Sequence, residues 1–129
     1  MTDEAKQALP FADRAALDRW FETHHAESAV LWVHLYRKGS GVPSVTWNDC
    51  VYVALAWGWI DGLKRTVDTI SWVQRLTTRR RGSNWSPRNR AIAEKLIADG
   101  KLHPAGLAVV RSAQDNGRWN AAGAEVGAE

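Results

Sequence analysis

The chain has 129 residues, 45% of them hydrophobic, with one cysteine and a net charge of +3. That is enough apolar material for one globular core. A lone cysteine, Cys50, excludes an internal disulfide and a thiolate metal cluster, and fits a reducing cytoplasm.

Residues 1–12 read as an extended lead-in, with Pro10 and Phe11 packing back on the body. Their polar, acidic start does not resemble a signal peptide. Asp13 is a candidate N-cap. Behind it Leu17, Trp20, Phe21 and His24 recur at i, i+3, i+4 and i+7, one face of a helix reaching about His25. His24 and His25 are adjacent, so on a helix they point apart and make a poor metal pair. Ala29 to Arg37 is rich in β-branched and aromatic residues and reads as a strand. Residues 38–43 follow as a turn.

Thr46 with Asp49 forms a capping-box pattern, with Asp in place of the usual Glu. Trp47, Cys50, Val51, Ala54 and Leu55 make one apolar face behind it. Tyr52, Val53 and Trp57 are apolar as well, so this helix is expected to be buried on more than one side. Cys50 reads as a small core residue, since no basic neighbour is placed to lower its pKa. Gly58 stops the helix. Residues 59–67 and 70–77 read as two strands joined by a tight hairpin at Asp68-Thr69.

Ser86 and Pro87 open a further helix, with Ile92, Ala93, Leu96 and Ile97 as its inner face and Gly100 as its stop. Pro104 opens the last helix, which has His103 at its N-cap, Leu107 and Val110 inward, and a stop at Gly117. Residues 120–129 have few apolar anchors and are expected to form a disordered tail. The predicted fold is α+β: a single domain over residues 11–119, with about three mostly antiparallel strands and about four helices. No apolar run approaches the roughly 20 residues of a membrane-spanning helix. No membrane insertion and a cytoplasmic location are therefore expected.

Charge is concentrated in one place. Between Asp68 and Glu94 there is no acidic residue, but there are six arginines: Arg75, Arg79, Arg80, Arg81, Arg88 and Arg90. Without those six the net charge of +3 becomes −3. The densest part is Arg79-Arg80-Arg81-Gly82-Ser83-Asn84-Trp85-Ser86, running into the helix that carries Asn89. Arginines beside a helix start make a place for an anion, because the start offers backbone N–H groups and a partial positive charge. Trp85 could add a stacking surface. A solvated basic loop before an ordinary capped helix is the plainer reading. A second stretch, Gly58-Trp59-Ile60-Asp61-Gly62, sets a carboxylate among apolar neighbours. Asp61 could bond to backbone, pair with an arginine of the loop, or act on a ligand.

These stretches carry a resemblance. Gly58 to Gly62, Gln74-Arg75, Arg80 to Ser86 with Asn89, Gly100 with Pro104-Ala105-Gly106, and Gly117-Arg118-Trp119 resemble, in order and spacing, the YdeI/OmpD-associated family. Its members are also labelled bacteriocin-protection proteins. The likeness runs from about Phe11 to Trp119. It departs at Thr77-Thr78-Arg79, where the family usually has Thr-Pro-Arg, so the turn before the basic loop lacks the rigidity of that proline here. The resemblance implies a small bacterial cytoplasmic protein, linked loosely to envelope stress or antimicrobial resistance. It brings no reaction, no catalytic residues and no cofactor.

The candidate ligand-binding residues are therefore Asp61, Arg79, Arg80, Arg81, Ser83, Asn84, Trp85, Ser86 and Asn89. The favoured partner is a small anionic, phosphate-bearing ligand held without catalysis. Nucleic acid ranks below it, because the net charge is modest and no nucleic-acid-binding signature is present. Two further readings are an enzyme with a pocket around Asp61 and the arginines, and a protein-interaction partner in stress protection. No dinucleotide fingerprint, phosphate-binding loop, nucleophile elbow or metal-ligand spacing is present.

Overall fold

Capping and apolar periodicity account for most elements of the computed structural model, which describes residues 7–79 and 85–119. In order these are β1 (Leu9–Pro10), α1 (Arg14–His24), β2 (Val30–Tyr36), α2 (Trp47–Ala56), β3 (Trp59–Thr66), β4 (Ser71–Thr78), α3 (Pro87–Ala98) and α4 (Pro104–Asp115). The fold is α+β, with four helices and a four-stranded mixed sheet in the order β1-β2-β4-β3.

The helix starts follow their side chains. Asp13 accepts from the Ala16 amide at 2.9 Å and caps α1. The capping box of α2 is closed in both directions: the Asp49 amide donates to Thr46 Oγ1 (3.1 Å), and the Thr46 amide donates to Asp49 Oδ2 (2.9 Å). Aspartate is thus long enough to do the work of glutamate here. Asp49 also takes Arg14 Nε at 3.0 Å, and the Arg14 guanidinium lies 4.1 Å from the Tyr52 ring centre. Gly58, at φ +81°, turns the chain out of α2 into β3.

The sheet has one strand more than expected. Leu9 and Pro10 pair in parallel with Val33 and His34. Proline is tolerated there because β1 is an edge strand, where a missing N–H breaks no inner ladder. β2 and β4 pair antiparallel from Val30↔Thr77 to Tyr36↔Ser71. β3 flanks β4 at the other edge. Residues 67–70 join β3 to β4, so the connection is longer than a two-residue hairpin. Asp68 organises it: its carboxylate accepts from the Ile70 amide (3.0 Å) and from Ser71 Oγ (2.9 Å).

Those two hydrogen bonds, the Ile70 amide first, hold the Asp68 carboxyl below the usual carboxylate range. Its folded pKa is lower than its unfolded one. Its stabilising effect is therefore present above the ordinary carboxylate pKa and lost as pH falls through the lowered value. Asp68→Ala is expected to lower Tm at neutral pH and to merge with the parent in strong acid. A Tm difference that stays constant down to acid pH would contradict this role.

Two compact units interleave along the chain. Among the described residues, the first takes 7–54 and 60–78, and the second takes 55–59, 79 and 85–119. In the first unit the core is drawn from Leu17, Phe21, Leu31, Val33, Leu35, Val73 and Leu76, each at most 4% exposed. Two polar residues of this unit, Ser71 and Gln74, are buried with them, and Gln74 Nε2 donates to the Gly62 carbonyl at 2.6 Å. Cys50 is also buried, as its sequence setting suggests. Burial, reinforced by the charges of Asp49 and Asp61, pushes its thiol up to about 12, so it stays protonated and unreactive.

In the second unit α3 buries Asn89, Ala93 and Leu96. Ile97, expected on the inner face, is instead 44% exposed. Asn89, not Ile97, completes the stripe, because i, i+4 and i+7 from Asn89 are Ala93 and Leu96. α4 buries Gly106, Val110 and Ala113. His103 stands at its N-cap position but makes no side-chain cap bond; its ring stacks on Trp57 at 3.7 Å.

Candidate functional site

Ser86 caps α3, as its sequence setting predicts. Its Oγ accepts from the Asn89 amide at 3.1 Å, and its carbonyl accepts from the Arg90 amide at 2.9 Å. Pro87 has no amide hydrogen. The amides of Asn89 and Arg90 are thus already occupied by Ser86. The helix start has far less donor capacity for an anion than its position alone suggests. Any anion held here depends mainly on guanidinium groups.

The described arginines of this region divide sharply. The Arg79 guanidinium carbon lies 3.8 Å from the Trp85 ring centre. The rings of Trp85 and Trp119 meet at 4.9 Å, inclined at 57°. The Arg90 guanidinium carbon lies 5.2 Å from the Trp119 ring centre, and its Nη1 donates to the Trp119 carbonyl at 3.4 Å. Arg90 also approaches Glu94 at 3.6 Å. The order is a ladder: Arg79, Trp85, Trp119, Arg90. Cation–π contacts of this kind are worth about 0.5–2 kcal/mol each, depending on how far they are desolvated. Arg79 and Arg90 therefore serve the packing of the second unit.

Arg88 differs. It is exposed, as are Ser86 and Pro87 before it. Its Nε and Nη2 both donate to Asn89 Oδ1, at 3.2 and 3.0 Å. Asn89 is itself only 4% exposed. A buried side-chain amide thus braces the guanidinium of an exposed residue.

Several expectations change. Trp85 is 2% exposed and stacked between Arg79 and Trp119, so it is a core ring and offers no open face for a ligand. The side chain of Asn89 is buried and orients Arg88. Arg80, Arg81, Ser83 and Asn84 lie outside the described residues. Asp61 is half-buried on β3 and belongs to the first compact unit, whereas Arg79 and residues 85–89 belong to the second. The glycine-flanked stretch and the basic stretch do meet, but through backbone: the Arg79 amide donates to the Gly58 carbonyl at 3.3 Å.

Sequence reasoning missed the part played by Trp119 and Arg90. Their distance along the chain from Trp85 hid it. It also missed the Arg88–Asn89 brace, although an asparagine on the apolar stripe of α3 was a usable sign that something polar reaches inward.

The family model for this sequence matches residues 9–109. The chain belongs to DUF8412. That family is described as a domain of unknown function. The DUF8412 match runs from β1 into α4 and takes in residues of both compact units. It includes the basic stretch and Arg88 but ends before Trp119. No curated protein and no solved structure matches the chain. Among the described residues, no cluster of His, Cys, Asp or Glu could hold a metal ion, and no helix is long and apolar enough to cross a membrane.

Proposed function

We propose that this DUF8412 chain is a non-enzymatic binding module for a small phosphate-bearing anion, received at the first turn of α3. The observation that carries this reading is Arg88, an exposed residue whose guanidinium is braced on the side-chain oxygen of buried Asn89. A guanidinium fixed before binding loses less side-chain freedom when it meets a phosphate, and its fork matches phosphate oxygens. Arg80 and Arg81, a few residues upstream, add cationic charge in a stretch without acids. The resemblance to the YdeI/OmpD-associated family supports a bacterial cytoplasmic setting, with a link to envelope stress or antimicrobial resistance.

A protein-interaction role would be favoured by an exposed tryptophan patch. Among the described tryptophans only Trp47 reaches the exposed range, at 36%.

Calorimetric titration with inorganic pyrophosphate and with phosphorylated metabolites tests the proposal. Arg88→Ala is expected to weaken binding about tenfold, the worth of one charge-assisted hydrogen bond of about 1.4 kcal/mol. Asn89→Ala should weaken it by a smaller factor, by releasing the brace. Absence of binding to every phosphorylated compound, or unchanged affinity in Arg88→Ala, would overturn the assignment.

A further inference from the structure

We infer that the outer edge of β3 is an interface with a second copy of this chain, the two strands joined antiparallel about a two-fold axis at Leu63. β3 stands at the end of the sheet order, and among the described residues no strand flanks its outer side. Its residues 62–66 are all exposed. Leu63, at 54%, is the most exposed large apolar side chain among the described residues. A Cβ built on Gly62 would meet, within 4 Å, only the Arg75 carbonyl of the neighbouring β4, at 3.6 Å, so no other element leans on the strand there. An eight-residue edge left open in this way is a template for a further strand.

The order of charges along β3 says which strand. In an antiparallel ladder, successive residues turn their N–H and C=O groups alternately to one side and to the other. The Val67 amide donates to the Ser71 carbonyl at 3.1 Å, so the backbone of Val67 faces β4. By alternation the backbone groups of Arg65, Leu63 and Asp61 also face β4, and those of Thr66, Lys64, Gly62 and Ile60 face the open edge. The Gly62 carbonyl takes Gln74 Nε2, and its second lone pair remains for a new strand. Pairing about Leu63 sets Gly62 across from Lys64 of the second copy, and Ile60 across from its Thr66, so edge groups meet edge groups. The same register sets Leu63 against its own copy and Asp61 against Arg65, twice by symmetry. Opposite charges directly across a sheet attract, and like charges repel. Lysine on an edge strand normally discourages pairing. Here Lys64 has only a glycine across from it, and its Nζ is drawn back over β4, 4.9 Å from the Trp72 ring centre. Moving the axis to Lys64 would oppose two lysines. Moving it to Gly62 would set each Asp61 against a leucine. An axis between two residues would pair edge-facing groups with inward-facing ones and form no ladder. Hydrogen-bond parity and charge thus select one register, in which the strand is its own complement.

Sedimentation velocity of the full chain over the micromolar to millimolar range tests this. A reversible shift from monomer to dimer is expected, weakening as salt rises. Arg65→Asp puts like charges across from each other at both pairs and should weaken dimerisation about tenfold. Asp61→Arg should do the same. Mixed in equal amounts, the two variants regain opposite charges at both pairs and should form a heterodimer about as tight as the parent dimer. Should Asp61→Arg fail to fold by far-UV circular dichroism, Leu63→Asp takes its place; carboxylates facing each other at the axis should weaken the dimer about fivefold. Four results would overturn the inference: a parent that stays monomeric throughout, a dimer indifferent to Arg65→Asp, a mixture no tighter than either variant alone, or parental dimerisation in Leu63→Asp.

Discussion

Trp85→Ala is expected to cost about 4 kcal/mol of folding stability, the usual loss for removing a buried tryptophan side chain. The ring is 2% exposed and is the middle of the Arg79–Trp85–Trp119 stack. Its removal opens a cavity and withdraws the surface on which the Arg79 guanidinium rests. For a domain whose total stability is about 5–15 kcal/mol, such a loss brings the chain near unfolding at room temperature. Urea denaturation followed by far-UV circular dichroism measures it. A double-mutant cycle with Arg79→Met should return a coupling of about 1 kcal/mol between the two side chains. The opposite outcome is equally readable: a variant of parental stability that fails to bind an anion would make Trp85 a ligand surface after all.

Gly106→Ala should also destabilise, although helix propensity argues the other way. Alanine is worth about 1 kcal/mol more than glycine inside a helix such as α4. Here a Cβ would come within 2.9 Å of the Ala56 carbonyl carbon and of Leu102 Cδ1, with the Ala56 oxygen closer still. That carbonyl is also fixed by the His103 amide, which donates to it at 3.1 Å. Backbone cannot yield as a flexible side-chain tip can, so the overpacking cost falls near the top of its usual range, about 3 kcal/mol. The net expectation is a loss of about 2 kcal/mol. Ala108→Gly, on the exposed side of the same helix, isolates the propensity contribution and should lose about 1 kcal/mol. A stabilised Gly106→Ala would show that the helix does not approach Ala56 this closely.

The legible parts of the fold were those governed by local chemistry. Asp13, Thr46, Ser86 and Pro104 mark helix starts, and Gly58, Gly100 and Gly117 adopt positive φ where helices end. β2 was visible as a run of β-branched and aromatic residues. β1 was not, because it is two residues long and half of it is proline. Its strand character comes from its partner, not from its own composition. The candidate site was legible as a concentration of charge but not as a division of labour. Arginines next to one another in sequence carry no sign of which will stack on a buried ring and which will be held outward. That depends on Trp119 and Asn89, the one remote in sequence and the other turned inward.

The interleaving of the two units has a consequence for how this protein can be handled. Residues 55–59 lie between segments of the first unit, yet they supply the Ala56 carbonyl and the Gly58 turn against which α4 is seated. A truncation at any point between 54 and 79 would strand one of these pieces on the wrong fragment. The chain is therefore not a pair of detachable modules. Fragments starting near Arg79 should fail to reproduce the Trp57–His103 stack, and grafting only half of the sequence onto another protein would transfer neither unit intact.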